Sequence, residues 1–341
     1  MMQTVTKIVN FLSARALHKR QFQNLLSEVD SVYKGLIMYN NVRWLSRGLV
    51  LKRFVECLDE INLFLTNQKT SFEEMSDNAW VCKLMLFADF CQHLNDLNAK
   101  LQGSGKTLDV MFDHIKAYEM KLRVFKRDVD SERFRYFPDL KRYINDLKWD
   151  DKADRQRLQE QFLNIIESTA EQFSSRFVKF RELEETAKFI KFPDSIRLEE
   201  VNLQMFSWID MDDFEMQLID FQCSSVWRQK FTDLRNVLEK IEKERLETGA
   251  SEKSAENEIL RTWNTITETF VCLKNLATSL LSIFSSTYSC ESLFSVMNFV
   301  KSSNRSSLTD ESCSACISLK VPKYKPNIDH LSSVMQQQKS H

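Results

Sequence analysis

Apolar residues along this chain recur mostly every three or four positions, and that spacing predicts helices from end to end. Residues 5–29 read as one helix, with Ile8, Phe11, Leu12, Leu17, Phe22, Leu25 and Leu26 along it. Another spans about Leu49 to Leu65. Ser71-Phe-Glu-Glu74 then has the capping-box pattern, in which a hydroxyl and a carboxylate satisfy the first free N–H groups of a helix. The two clearest stripes follow. Trp80, Leu84, Phe87, Cys91 and Leu94 form one, and Leu108, Met111, Ile115, Tyr118, Leu122 and Phe125 the other. Gly103 and Gly105 separate them, which predicts an antiparallel helical hairpin.

Pro138 begins a short helix, and a long one runs from about Asp151 to Lys188 with a seam of Leu158, Phe162, Ile165, Phe173, Phe177 and Phe180. Pro193 ends it, and residues 196–239 read as helix again. Glu242 to Glu258 is a solvated helix end plus loop, before a last apolar block from Ile266 to Val300. The exception to the helical pattern is Leu36 to Leu45, a short apolar and β-branched run that is the best strand candidate. After Leu319 the tail is rich in Lys, Pro and Gln, and no internal repeat at a fixed period is visible.

Composition sharpens this picture. Only 5 Gly and 4 Pro occur in 341 residues, so folds that depend on tight turns, and Gly-cradled phosphate sites, are excluded. The 25 Phe suit thick helix–helix packing. The expected class is mainly α, with one or two short strands at most near 36–45. Acidic and basic residues nearly balance, 48 against 47, but not locally. Between Met1 and Arg53 stand Lys7, Arg15, Lys19, Arg20, Lys34, Arg43, Arg47, Lys52 and Arg53, opposed only by Glu28 and Asp30. Such a segment attracts nucleic acid or forms solvated helix faces.

Eight Cys with no secretory leader imply reduced thiols, and no apolar stretch is long enough to cross a membrane. Cys313-Ser-Ala-Cys316 is a lone CxxC without a second ligand pair nearby; two small packed side chains are its plainer reading. His93 and His114 lie near the apolar stripes as hydrogen-bonded structural residues. Asp210, Asp212, Asp213 and Glu215 form an acidic patch that a helix start explains. No hydrolase triad, HExxH or P-loop pattern occurs. One carboxylate, Glu291, stands inside an apolar, Phe-rich helix, where it must be at the surface, paired or metal-bound.

Residues 42–54, Val-Arg-Trp-Leu-Ser-Arg-Gly-Leu-Val-Leu-Lys-Arg-Phe, resemble the Arg-Trp segment of hAT-superfamily transposases. The likeness is greatest to their domesticated relatives, the zinc finger BED domain-containing and general transcription factor II-I repeat domain-containing 2-like proteins. Trp80 to Leu101 with Asp113-His114-Ile-Lys-Ala-Tyr118 is also similar to that group. So is the block from Leu276-Ala277 through Phe284 to Tyr288, Cys290-Glu291-Ser292, Phe294-Ser295 and Lys301 to Leu308. This last block resembles the hAT C-terminal dimerisation region, though Cys313 departs from its pattern.

The resemblance implies an RNase H-like domain whose last strand and Glu-bearing helix are separated by a large helical insertion. In hAT enzymes two Asp and one Glu hold two Mg²⁺ for strand transfer. Glu291 would match that Glu as a vestigial metal-ligand position. Trp44, with Arg43 and Arg47, would contact DNA beside the cleavage point, the Trp face steadying a displaced base; a buried core Trp is the other reading. Both Asp positions and the BED finger would precede Met1, so a single carboxylate remains and no catalysis, metal or cofactor is expected. The implied organisation is a remnant of the RNase H-like core at 1–48, a helical insertion at 49–265, the Glu helix and dimerisation region at 266–320, and a tail at 321–341. The expected function is that of a nuclear, transposase-derived protein acting through homodimerisation, or dimerisation with related transposase-like proteins, and DNA contact. The alternatives are a helical protein-interaction scaffold without a nucleic-acid role, and a cytoplasmic location.

Overall fold

The computed structural model describes residues 1–37, 44–102, 107–147, 152–249, 254–283, 288–302, 305, 307–320 and 327. Among these residues there are sixteen α-helices, three short 3₁₀ turns and no strand. The chain divides into two compact units, one of residues 1–101 and 105–283 and the other of residues 102–104 and 284–341.

In the first unit two cores form. The N-terminal core is built by α1 (Met2–Ser13), α2 (Ala16–Glu28), α3 (Trp44–Glu56), α4 (Leu58–Asn67), α5 (Asn78–Leu101), α6 (Leu108–Asp130), α7 (Pro138–Leu147) and α8 (Lys152–Arg176). The expected single helix over 5–29 is broken at Ala14, whose N–H closes α1 on Asn10 O at 2.9 Å. Arg15 is extended there, and the turn lets Phe22 reach the edge of Phe64 at 5.5 Å while Leu17 stays exposed. The helix expected from Leu49 to Leu65 is likewise two helices, joined at buried Cys57. Of the strand candidate, Leu36 and Ile37 are irregular, Trp44 and Leu45 open α3, and 38–43 lie outside the described residues.

The capping box expected at Ser71 is not made. Glu73–Ser76 is a 3₁₀ turn, and the Glu74 carboxylate instead accepts a bond from Thr4 Oγ1 at 3.0 Å. α5 starts beyond it, where Asp77 Oδ1 accepts the Ala79 N–H at 2.9 Å. The hairpin of α5 and α6 is present: all six residues of the Leu108–Phe125 stripe are buried, and His93 on α5 stacks on Phe125 of α6 at 4.4 Å. On α8 Leu158 and Phe162 of the expected seam are buried, but Ile166 rather than Ile165 continues the stripe, and Ile165 faces solvent. This helix stops at Phe177 rather than Lys188 and is followed by two short turns, α9 (Val178–Arg181) and α10 (Glu184–Lys188).

The second core gathers α10 with α11 (Met211–Cys223), α12 (Ser225–Thr248), α13 (Ala255–Asn264) and α14 (Val271–Ser282). Residues 201–209, expected to be helical, are irregular and bury Val201, Leu203, Phe206 and Ile209. Trp263 lies among Phe189, Phe221 and Phe231, and its Nε1–H donates to Ile190 O at 2.9 Å. Buried Trp commonly needs such an acceptor. As expected, the acidic patch opens a helix: Asp210 caps α11 by accepting the Asp213 N–H at 3.0 Å.

Glycine scarcity has a visible consequence at helix ends. α12 ends on Gly249 at φ 77°, the usual left-handed cap. α2, α4 and α6 instead end on Asp30, Lys69 and Glu132 at φ 51°, 50° and 51°, where an L side chain carries a steric cost.

Within the second unit α15 (Tyr288–Val300) and α16 (Asp310–Lys320) pack as a helical hairpin. Thr309 caps α16, its Oγ1 accepting the Ser312 N–H at 3.3 Å. Acidic Asp310 and Glu311 follow at the positive helix end, with Lys320 at the other.

Candidate functional site

Helix α3 carries Trp44 and Arg47, two of the three residues expected to contact DNA. It packs against α5, and its Val50, Leu51, Phe54 and Val55 are buried in the N-terminal core. Gly48 permits the close approach: a Cβ there would stand 2.4 Å from Asn95 Nδ2. The outward side presents Arg47 and Leu49. Trp44 is the first residue of this helix, so the Trp44–Arg47 spacing is one helical turn. Arg43 lies outside the described residues. The basic residues Lys7, Arg15, Lys19, Arg20 and Lys34 are all exposed on the same unit.

The inner end of α3 is fixed by a polar cluster that sequence reasoning missed. Lys52 Nζ binds Asp139 Oδ2 at 2.7 Å, and Arg142 meets the other oxygen at 3.3 Å. Asp89, buried in the middle of α5, places one oxygen on two N–H groups at the start of α7, those of Asp139 at 3.0 Å and Leu140 at 3.1 Å. Burial raises the Asp89 carboxyl to about 7, against the two N–H bonds and the charge of Lys52; the neighbouring Asp139 charge raises it further. For Lys52, burial opposes its charge, but the bond to Asp139 prevails and holds its pKa above the usual value. The available signal was a carboxylate inside the apolar run Leu84-Met-Leu-Phe-Ala-Asp89-Phe, the same signal that singles out Glu291.

Asp128 forms a second such anchor, accepting from Arg135 Nε at 3.3 Å and the Tyr136 N–H at 3.2 Å. His93 is a structural histidine, bonded through Nε2 to Tyr136 O at 2.8 Å. Burial pushes the thiols of Cys57 and Cys91 up to about 11 and that of Cys82 to about 12, so these are packed thiols rather than nucleophiles. Among the described residues no three His, Cys, Asp or Glu side chains are placed to hold a metal. No described helix is long and apolar enough to cross a membrane.

Glu291 falls in the second unit, on α15, two residues before Leu293, the first residue of that helix whose side chain is described. Trp44 and Arg47 therefore share one helix, and Glu291 belongs to a different compact unit. The α15–α16 hairpin buries Val300 and Cys313 but leaves Phe294 59% and Phe299 73% exposed, with Leu293 and Leu319 also open. Lys320 Nζ lies 3.5 Å from the Phe299 ring centre, a cation–π contact within the hairpin. Cys316 of the CxxC pair is exposed and Cys313 buried, both as free thiols.

Comparison with known proteins gives these helices a context. Residues 1–130, ending with α6, match the FAM200/GTF2IRD2 helical domain. Residues 233–321, from within α12 to the end of α16, match the hAT family C-terminal dimerisation region. General transcription factor II-I repeat domain-containing protein 2 of Bos taurus is 29% identical over 312 residues, 91% of this chain and 28% of that protein. Its Mus musculus counterpart is 28% identical over 303 residues, 88% of this chain and 28% of that protein. The chain thus spans little more than a quarter of the length of these relatives. No solved structure matches it significantly. The chain is thus an all-α protein similar over its first 130 residues to the FAM200/GTF2IRD2 helical domain, over residues 233–321 to the hAT family C-terminal dimerisation region, and over most of its length to general transcription factor II-I repeat domain-containing protein 2.

Proposed function

We propose that this chain is a catalytically incomplete, transposase-derived nuclear protein that works as a homodimer, or as a dimer with related transposase-like chains, and contacts DNA through its basic N-terminal helices. The observation that carries the reading is the match of residues 233–321 to a dimerisation region whose last two helices leave Phe294, Phe299, Leu293 and Leu319 exposed. Large apolar side chains gathered on one short hairpin are costly in water and suited to burial between chains. Glu291 is a vestigial metal-ligand position in this reading. In the acidic patch that could have supplied further carboxylates, Asp210 is engaged in capping α11. The nuclear setting rests on the transcription-factor names of the relatives.

DNA contact is favoured by the exposed cations Lys7, Arg15, Lys19, Arg20, Lys34 and Arg47 on the unit that carries Trp44. Phosphate contacts of this kind release counterions, so affinity should fall steeply as salt rises. Two differently tagged copies expressed together test dimerisation: each should recover the other, and Phe294→Asp with Phe299→Asp should abolish recovery. Fluorescence anisotropy with duplex and single-stranded DNA tests the second part. Arg47→Glu and Lys19→Glu should weaken binding and flatten its salt dependence; salt-independent or absent binding would remove DNA from the account.

A further inference from the structure

We propose that the outer face of α11 docks a cationic segment bearing large apolar side chains, supplied by a partner protein. The inference goes beyond dimerisation and DNA contact and uses neither. α11 turns Phe214, Leu218 and Phe221 into the second core, and the opposite face of such a helix is ordinarily polar throughout. Here it carries Met216 and Ile219, 62% and 50% exposed, and their i,i+3 spacing places them side by side as a ridge.

Carboxylates surround that ridge. Asp212 stands one turn before Met216, Asp220 one turn after it, Asp213 three residues before it, and Glu215 one turn before Ile219. None of these four has an ion-pair partner among the described residues. Local composition supplies none either: from Leu198 to Trp227 there is no Lys, Arg or His, while Glu199, Glu200, Asp210, Asp212, Asp213, Glu215 and Asp220 are acidic. The helix dipole accounts for carboxylates in the first turn. It does not account for Asp220, which lies in the last turn where the dipole opposes it, nor for exposed Met and Ile. Just ahead of the helix cap, Trp208 is 65% exposed, and Met211 at the first helical position is open as well.

The chemistry that fits is complementary in both respects. Lys or Arg side chains would meet the ring of carboxylates, and apolar side chains would cover Met216 and Ile219; exposed Met and Trp are residue types that adapt to and anchor such contacts. A phosphate backbone carries the wrong sign. A metal site is not indicated, since apolar side chains separate the acidic residues and no three described ligands converge.

The test uses the full chain and two labelled helical peptides: one with Lys and Arg flanking Leu at helical spacing, the other with every Leu replaced by Ser. The first should bind at least about ten-fold more tightly. Met216→Ser with Ile219→Ser should cost about ten-fold in that binding, and Asp212→Asn with Asp220→Asn should cost as much while flattening its salt dependence. All four positions are exposed, so circular dichroism and melting should not change. Equal binding of both peptides, or unchanged binding by both variant pairs, would overturn the proposal. So would self-association that the Met216→Ser and Ile219→Ser pair abolishes, which would place a second copy on this face.

Discussion

Removing the Asp89 carboxylate should unfasten α7 from α5, and the size of the effect follows from the geometry. One oxygen of Asp89 accepts two buried N–H bonds, from Asp139 and Leu140, which would otherwise be orphan donors at the start of α7. Hydrogen bonds to a charged or polar acceptor in such a place are worth about 1.5–3 kcal/mol each, with overlap where one atom serves two. Asp89→Ala should therefore cost about 3 kcal/mol, a value also reached when cap loss and desolvation are taken together. Asp89→Asn keeps an oxygen for both donors and removes the repulsion from Asp139.

The two variants also separate by pH. Burial raises the folded-state carboxyl of Asp89 from 3.8 to about 7, so the folded protein holds a proton there that the unfolded chain releases. The stability this proton linkage contributes is complete below about pH 4 and is lost as pH rises through about 7. Asparagine has no such titration. The Asp89→Asn variant should therefore gain on the wild type between pH 4.5 and 7.5 by about 3 kcal/mol. Urea unfolding at both pH values, with amide exchange of Asp139 and Leu140 as a local readout, measures all of this. An Asp89→Ala cost below about 1 kcal/mol would refute the anchoring role. An Asp89→Asn difference independent of pH would refute the raised carboxyl.

Three further outcomes follow from the packing. Lys69→Gly relieves a left-handed side chain at the end of α4 and should stabilise by about 0.5–1 kcal/mol in denaturant titration. Ile166→Ala should cost about 2–4 kcal/mol and Ile165→Ala under about 0.5 kcal/mol, because only the former is inside. Gly48→Val should cost about 1–3 kcal/mol, since the new side chain meets Asn95 where α3 crosses α5.

How far the fold could be read from the residues depended on how locally each feature is decided. The stripe from Leu108 to Phe125 is regular and one-sided, and every member is buried as its spacing implies. The breaks at Ala14, Cys57 and Phe177 carry no Gly or Pro; they arise because the flanking helices fold back onto partners distant in sequence, as Phe22 does onto Phe64. On α8 Leu158 and Phe162 are buried as their spacing implies, but Ile166 takes the place expected for Ile165, because the two are adjacent and equally apolar and only packing against the neighbour helix α6 distinguishes them. The extended start expected for α3 gave way to helix at Trp44, since Leu51, Phe54 and Val55 lie at helical spacing against α5.

Site residues were legible unevenly. Arg47 is exposed on a well-anchored helix, and Trp44 opens that helix. The side chain of Glu291 and the whole of Arg43 lie outside the described residues. Asp89 went unnoticed although it sits in an apolar run, because its partners are backbone groups fifty residues further along the chain. A bond to a distant N–H leaves no mark in the spacing of side chains.

The account rests most heavily on self-association through the α15–α16 hairpin, and sedimentation equilibrium of the purified chain tests it directly. Wild-type protein should sediment at twice its 40.2 kDa monomer mass. The Phe294→Asp and Phe299→Asp double variant should sediment at the monomer mass with its helical content intact. A wild-type chain that remains monomeric at the highest attainable concentration, or a double variant that still dimerises, would contradict the account.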